Sequence, residues 1–264
     1  MLESKVLRTK MNYSVVWILA KRELIGYWRS KSRIISSLAQ GLLFLFVFGA
    51  GFSSSPVTIQ GIIVNPRAFV ASGMAAIVIL FTGIFGGMSI FRDKMFGFMK
   101  ELLVAPVSRG TLMLGRTLGV ALQTVIQVVT IIILSVAIGY FGYDLNLIWR
   151  IMLIIPVSLL ASLGVVGIGL IISTRLSDMQ SFGLIQTFIV MPMFWLSGAL
   201  IAFPSSLQII LMLNPFTYSV DLFRLTLLGV SYYPFWLDLT VTVGFGALLI
   251  FIGARSFNKM EVSQ

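Results

Sequence analysis

Six long apolar runs dominate the chain, and short polar segments separate them. Each run is about 19–25 residues long, which is enough for a helix to cross roughly 30 Å of hydrocarbon. No Lys or Arg occurs within the runs, and Asp238 in the last run is their only acid. The pattern predicts six transmembrane helices, over residues 34–52, 68–91, 117–141, 151–173, 182–203 and 235–254.

A further apolar stretch, residues 207–230, is interrupted by polar residues. Asn214-Pro215 breaks it, and Asp221 and Arg224 follow in its second half. Because proline ends a helix and charges are costly in lipid, we interpret residues 204–231 as an outer re-entrant or interfacial helical hairpin between helices five and six. The predicted fold class is therefore an all-α integral membrane protein, with its transmembrane domain over residues 34–254.

The segment before the first span, residues 1–33, has an amphipathic pattern. On a helical wheel its apolar face consists of Trp17, Ala20, Leu24, Ile25, Tyr27 and Trp28. Arg22 and Glu23 lie on the opposite, polar face. A helix lying in the membrane interface explains this pattern, and a merely basic tail is the alternative; the periodicity favours the helix.

The composition agrees with a membrane protein. Hydrophobic residues make up 58% of the 264 residues and charged residues 11%, with a mean hydropathy of +1.01, whereas a soluble domain carries about 25% charged residues. This excludes a soluble enzyme. The chain has no His and no Cys, which excludes zinc sites, acid–base catalysis by His and thiol catalysis. We expect no catalytic residue and no metal site.

The basic residues predict an orientation. With the N-terminus inside, sixteen of the nineteen Lys and Arg residues lie in cytoplasmic segments, and Arg67, Arg150 and Arg224 lie outside. This bias follows the positive-inside rule and explains the net charge of +10 without a nucleic-acid partner. It predicts a multi-pass protein of the cell membrane with both termini in the cytoplasm, including the tail of residues 255–264.

The predicted cytoplasmic loop of residues 92–116 combines charges with large apolar residues. If its first part is helical, Phe96, Met99 and Leu103 share one face, and Pro106 ends that helix. Such a helix suits a groove on a partner protein, but it suits equally well a helix that folds back on the inner ends of the spans. The spacing does not decide between these two interpretations.

Three stretches together resemble a known family. Residues 96–109, FGFMKELLVAPVSR, followed by LGRTLG, resemble the signature loop of type-2 ATP-binding-cassette (ABC) exporter permeases, in particular the daunorubicin-resistance-like branch. Residues 195–200, WLSGAL, and 214–224, NPFTYSVDLFR, resemble two further motifs of the same branch. The three motifs occur in the family's order, and the resemblance covers roughly residues 15–255. Arg116 departs from it, since the family more often has Lys there.

The resemblance implies a permease with six spans that works as a dimer, here expected to be a homodimer, with two separate nucleotide-binding ATPase subunits. It also implies export of a lipid, a glycan or an amphipathic drug, and contact of the amphipathic helix with the ATPase. The loop would contain a coupling helix that docks on the ATPase. The coupling residues would be Arg92, Asp93, Lys94, Phe96, Gly97, Phe98, Met99, Lys100, Glu101, Pro106 and Arg109.

The chain lacks a phosphate-binding loop of its own. It contains no G-x-x-x-x-G-K-[ST] and no Gly-Lys dipeptide, so it cannot hold ATP phosphates in the usual way. We therefore expect a transport subunit that is not itself an enzyme and holds no cofactor. ATP and Mg would be bound by the partner ATPase.

Polar residues in the spans have two possible roles. Gln123, Gln127 and Thr130 form one polar stripe on helix three, which either lines the translocation path or joins helices by hydrogen bonds. Gly115 and Gly119, four residues apart, permit a close helix approach or form a flexible entry to the span.

The end of helix five and the outer hairpin supply the remaining candidates, and the resemblance implies that this hairpin narrows the exit. The candidates for this outer gate are Ser197, Gly198, Asn214, Pro215, Tyr218, Asp221 and Arg224. Asp221 and Arg224 are three residues apart, so on a helix they are expected either to form an ion pair or to contact the substrate.

Two other functions fit the residues less well. A secondary, ion-coupled transporter of a hydrophobic substrate needs ionisable residues near the membrane midplane, and the sequence places none there. A lipid-modifying membrane enzyme needs a cluster of reactive side chains at the interface, which is missing as well. The sequence therefore favours the permease of an ABC exporter, with the secondary transporter as the alternative.

Overall fold

The computed structural model describes residues 13–51, 56–88, 91, 95, 107–142, 146–176 and 178–258. The described part is mostly helical, with one short β-hairpin. Its first half contains α1 Tyr13–Arg29, α2 Lys31–Gly51, β1 Val57–Ile59, β2 Ile62–Val64, α3 Pro66–Gly87 and α4 Arg109–Ala137. Its second half contains α5 Asn146–Arg175, α6 Met179–Ile185, a π-helix Gln186–Val190, α7 Met191–Trp195, a 3₁₀ turn Ser205–Leu207, α8 Gln208–Met212, α9 Pro215–Leu228 and α10 Phe235–Asn258.

Five of these helices are long and apolar enough to cross a membrane. They are α2, α3, α4, α5 and α10, and they correspond to five of the six predicted spans. The remaining predicted span, helix five at residues 182–203, forms the short helical series α6, π-helix and α7, which ends at Trp195. The chain therefore leaves helical geometry eight residues before the predicted end of that span.

Four of the five long helices begin earlier than the apolar pattern predicted, and polar side chains cap two of them. Ser108 caps α4 by accepting a hydrogen bond of 3.1 Å from the Thr111 amide, so α4 includes a polar first turn. The side chain of Asn65 caps α3 by accepting from the Arg67 amide at 2.9 Å, and Pro66 occupies the first helical position. Helix α3 also ends earlier than predicted, at Gly87 instead of residue 91.

The β-hairpin corrects the all-α prediction at one point. Strands β1 and β2 pair antiparallel, with Val57 opposite Val64. Gln60 and Gly61 form the tight turn with φ angles of 48° and 82°, the left-handed geometry that two-residue hairpins require. This element connects α2 to α3 at one end of the helix bundle. We call this the hairpin end, since the end of α4 and the start of α5 lie there too.

Helix α3 is the centre of the bundle, with 83% of its span window buried. It packs against α2, α4, α5 and α9. A Cβ at Gly87 would meet the Gly169 backbone of α5 at 2.6 Å, so the two helices approach at backbone distance. By contrast, the span windows of α2 and α10 are only 18% and 17% buried, so most of their apolar surface has no partner within the described chain.

Helix α1 packs in parallel along the first part of α4. A Cβ at Gly115 would meet the Leu19 side chain at 2.7 Å, and one at Gly119 would meet the Cβ of Glu23 at 2.7 Å. The two glycines therefore serve close helix approach, which was one of the two roles expected for them.

Candidate functional site

The chain unwinds after α7, and this break is where most of the predicted gate residues meet. Gly198 adopts a left-handed φ of 67°, which favours glycine. The Ser197 hydroxyl donates to the Phe194 carbonyl at 2.7 Å and accepts from the Ala199 amide at 3.2 Å. Non-helical backbone at membrane depth is stable only when its polar groups are satisfied inside the protein. The unwound segment, residues 196–204, therefore needs partners.

Two side chains at the start of α9 form hydrogen bonds with backbone carbonyl groups at the end of α7. The Asn214 side-chain nitrogen donates to the Met193 carbonyl at 2.8 Å, and the Thr217 hydroxyl donates to the Leu196 carbonyl at 3.3 Å. The Asn214 side-chain oxygen also caps α9 by accepting from the Phe216 amide at 3.0 Å. One residue thus starts α9 and ties it to the end of α7.

Arg224 is the central residue of this junction. Its guanidinium is 2% exposed and donates to the carbonyl oxygens of Gly198 and Ala199. It also lies over the Phe69 ring of α3, with its Cζ 3.9 Å from the ring centroid. Arg224 therefore holds α9, the unwound segment and α3 together.

Asp221 does not form the expected ion pair with Arg224. One carboxylate oxygen of Asp221 accepts from the backbone amides of Tyr232 at 2.7 Å and Tyr233 at 2.8 Å. Asp221 thereby fixes the connection between α9 and α10, a role that its spacing from Arg224 did not predict.

Asp238 faces Asp221 from the first turn of α10. Asp238 is completely buried and lies close to Asp221. Within the described chain, neither Asp238 oxygen nor the Oδ1 atom of Asp221 has a hydrogen-bond donor. Sequence analysis noted Asp238 as the only acid of the spans but missed this pairing.

The space left at this junction is small. A cavity of about 20 Å³ lies among residues that include Ser197, Gly198, Asp221 and Arg224. A cavity of this size has room for about one water molecule, whereas pockets for small molecules measure about 300–1,000 Å³. The predicted gate residues are therefore packed in a closed arrangement.

The polar stripe of α4 joins helices at Gln127. The Gln127 side-chain nitrogen donates to the Tyr27 hydroxyl of α1 at 3.1 Å, and its oxygen accepts from the Thr82 hydroxyl of α3 at 2.5 Å. Thr130 instead donates to the Ile126 carbonyl of its own helix at 2.7 Å. Gln123 is also buried, at 4% exposure. Gln127 thus has the helix-joining geometry, and sequence analysis did not identify either of its partners.

The face of α1 that packs against α4 includes residues from both the apolar and the polar face predicted from the sequence. Ala20 and Tyr27, assigned to the membrane-facing side, are buried on α4. Glu23, assigned to the polar side, packs over Gly119. Trp17 and Trp28 remain 57% and 62% exposed, so an apolar surface suitable for the membrane interface persists beside the packed face.

The predicted coupling residues 92–94, 96–101 and 106 lie outside the described residues, and Arg109 is described only as the first residue of α4. Two neighbours of these residues are described. Phe91 is 1% exposed, and Met95 is 59% exposed. Phe91 thus anchors the end of the second predicted span in the core.

These features define a class of protein: a helical membrane protein of several spans, in which one helix is broken and its unwound segment is held by the short helix α9. The family follows from comparison. A model of the ABC-2 type transporter family matches residues 14–228, and the chain belongs to this family of transport permeases. This confirms the family-level resemblance. The daunorubicin-resistance-like branch is not confirmed by the relatives described next.

The chain is similar to several known proteins over most of their length. The transport permease ycf38 of Pyropia yezoensis is 30% identical over 216 residues, covering 77% of this chain and 70% of the relative. The ycf38 permease of Porphyra purpurea is 29% identical over 211 residues, with 77% and 70% coverage. Nodulation protein J of Rhizobium leguminosarum bv. viciae is 25% identical over 225 residues, covering 83% of each chain.

Proposed function

We propose that this permease exports a lipid, a glycan or an amphipathic drug, driven by ATP that a separate nucleotide-binding subunit binds with Mg and hydrolyses. One observation carries the proposal: a chain that matches the ABC-2 type transporter family over residues 14–228 contains no phosphate-binding loop in its 264 residues. We also propose that the chain belongs to the daunorubicin-resistance-like branch. This is the reason why an amphipathic drug is among the candidate substrates.

The proposed assembly is a permease homodimer with two ATPase subunits in the cell membrane. Support comes from the low burial of α2 and α10, at 18% and 17% of their span windows, which leaves apolar helix faces for a second copy or for lipid. In this assembly the unwound segment and α9 follow the fifth crossing and form the gate on the exit side.

The proposed orientation has both termini in the cytoplasm, since sixteen of the nineteen basic residues then lie inside. The hairpin end of the bundle is then external. Because the chain has no Cys, single cysteines report the orientation on a clean background. Ser231→Cys should react with an impermeant thiol reagent added to intact cells, and Ser108→Cys should not. Labelling of Ser108→Cys from outside would reverse the orientation.

A direct test of the function uses the chain purified with its ATPase. The complex is reconstituted in lipid nanodiscs, and lipids, glycans and amphipathic drugs are screened for stimulation of ATP hydrolysis. The proposal predicts that at least one of these classes stimulates hydrolysis and is moved in vesicles only when ATP is present. Transport that continues without ATP and collapses with an ionophore would contradict it.

The alternative, a secondary ion-coupled transporter, gains one observation from the fold. Asp221 and Asp238 form a buried carboxyl pair, and buried ionisable groups in membrane proteins often belong to ion pathways. The family match favours the ATP-driven function, and the ionophore experiment separates the two.

A further inference from the structure

The hairpin end contains a pocket that is not part of the junction around Arg224. It has a volume of about 250 Å³, compared with about 20 Å³ and 40 Å³ for the cavities near Arg224 and Gln127. It lies between the β-hairpin, the start of α3, Phe141 after α4, the first turns of α5 and the end of α9. We call it the hairpin-end pocket.

Most of the residues that line the hairpin-end pocket have apolar side chains. Its apolar lining includes Ile62, Ile63, Phe141, Leu147, Leu227 and Leu228. Ile63 is 76% exposed and Ile62 is 55% exposed, so this side of the hairpin lies open beside the pocket. Its position at the ends of spanning helices corresponds to the level at which lipid head groups meet acyl chains.

Arg150 is the one charged side chain that lines this pocket among the described residues. It is half-buried, and its guanidinium donates to the Leu227 carbonyl at 2.7 Å. A guanidinium has five N–H donors. The hydrogen bond to Leu227 fixes the position of the Arg150 guanidinium and uses one of these donors, so the others can bind a ligand. Asn65 adds a polar side chain at the same wall, and no described Asp or Glu lines the pocket.

The positively charged guanidinium of Arg150, next to apolar side chains, is complementary to an amphiphile with a negative head group. Arginine binds phosphate through paired, charge-assisted hydrogen bonds, and the apolar walls gain by covering an alkyl chain. The pocket is slightly smaller than typical ligand pockets of about 300–1,000 Å³. It therefore suits a head group and the first part of a chain, with the rest of the chain in the bilayer.

We propose that the hairpin-end pocket binds an anionic amphiphile, with a phosphate group at Arg150 and its alkyl chain along Ile62, Ile63 and Phe141. This proposal is independent of the direction of transport and of the ATPase partner. The ligand chemistry is that of a phosphate monoester or diester on a hydrocarbon chain. A bilayer phospholipid has this chemistry in full, whereas free phosphate has only its head.

The test uses the full chain purified in a neutral maltoside detergent. Binding of dioctanoyl phosphatidic acid is measured by native mass spectrometry, with inorganic phosphate and dioctanoyl glycerol as the two halves of the ligand. We expect the phosphatidic acid to bind more tightly than either half. Equal binding of inorganic phosphate would overturn the amphiphile assignment, and equal binding of dioctanoyl glycerol would overturn the role of the charge.

Variants assign the binding to this pocket. Arg150→Gln should weaken phosphatidic acid binding about tenfold or more, because a charge-assisted hydrogen bond is lost. Arg67→Gln, which removes an exposed arginine outside the lining, is the matched control and should leave binding unchanged. Unchanged binding in Arg150→Gln, or an equal loss in both variants, would overturn the proposal.

A second variant leaves the hydrogen bond between Arg150 and the Leu227 carbonyl intact. Ile63→Asn changes an exposed residue, so the fold should keep its melting temperature. It should weaken phosphatidic acid binding several-fold while leaving any inorganic phosphate binding unchanged. Unchanged phosphatidic acid binding in a folded Ile63→Asn would contradict the apolar half of the site.

Discussion

Gln127 in α4 donates a hydrogen bond of 3.1 Å to the hydroxyl group of Tyr27 in α1, although the two residues are 100 positions apart in the chain. Through the same amide, Gln127 accepts a hydrogen bond from Thr82 in α3. A single side chain thereby ties helix α1 to α3 and α4. Hydrogen bonds between helices in membrane proteins contribute about 0.6 kcal/mol on average and up to about 1.7.

The first prediction concerns this connection. Tyr27→Phe keeps the ring and removes the hydroxyl, so it should lower the free energy of unfolding by about 0.5–1.5 kcal/mol. Tyr13→Phe, at a residue that is 74% exposed, is the matched control and should have no effect. The double variant with Gln127→Leu should cost less than the sum of the single changes, as measured by thermal unfolding in detergent. Strict additivity would mean that the two side chains do not interact.

The second prediction concerns Arg224. Arg224→Gln removes the charge and most of the donors that satisfy Gly198 and Ala199, so it should cost about 3–5 kcal/mol, or prevent folding. Arg224→Lys keeps the charge but cannot lie flat over Phe69 and serve two carbonyls equally well. It should therefore recover only part of the loss. The melting temperatures of both variants are measured in detergent, with the exposed Arg67→Gln as the control. Full stability of Arg224→Gln would contradict the role of Arg224 in holding α9, the unwound segment and α3 together.

A third prediction uses the close approach of the unwound segment to α3. A Cβ at Gly73 would overlap the carbonyl oxygen of Ala199, whereas one at Gly244 in α10 would have no atom within 4 Å. Gly73→Ala should therefore destabilise the protein by about 1–3 kcal/mol, as overpacking does. Gly244→Ala should be neutral or slightly stabilising, since Ala favours helix. Thermal unfolding of the two variants in parallel checks this contrast, and equal melting temperatures would contradict it.

A fourth prediction separates the two carboxyl groups at the start of α10. Asp238→Asn places an amide donor opposite the unsatisfied Oδ1 of Asp221, so the melting temperature at pH 7 should stay the same or rise. Asp221→Leu instead removes the acceptor of the Tyr232 and Tyr233 amides, which should cost about 1–3 kcal/mol for each buried group left unpaired. If Asp238→Asn proved the more damaging change, the carboxyl pair would need a different explanation.

The sequence carried enough information for most of the fold. Uninterrupted apolar runs predicted five helices that the structure contains, because a helix in lipid must satisfy every backbone group internally. The boundaries were less accurate, since capping by Ser108 extends α4 into polar sequence that an apolar window leaves out. The β-hairpin at Gln60-Gly61 was missed because it occupies only a few residues between two spans.

The candidate site was only partly predictable. The motifs around Gly198 and Arg224 were identified separately, but their contact depends on the unwinding of residues 196–204. An apolar pattern does not reveal such a break, because the residues on both sides of it are apolar. Likewise the spacing of Asp221 and Arg224 suggested an ion pair, whereas tertiary packing supplied each with better-placed backbone partners.

The last prediction concerns the loop expected to couple the permease to an ATPase. Phe98→Ala together with Met99→Ala should weaken ATPase binding, because apolar anchors at an interface contribute about 1–3 kcal/mol each. The melting temperature of the permease alone should not change. Leu213→Ala, at an apolar residue that is 80% exposed outside this loop, is the control. A lower melting temperature with full ATPase retention would show that the loop packs on its own helices.

The most direct measurement is ATP hydrolysis by the purified chain alone, by the chain with its ATPase, and by that complex carrying the two loop substitutions. The chain alone should hydrolyse no ATP, since it has no phosphate-binding loop. The complex should hydrolyse ATP, and the substituted complex should lose the coupling between hydrolysis and transport. Hydrolysis above background by the chain alone, free of contaminating ATPase, would contradict its role as the permease subunit of an ATP-driven exporter.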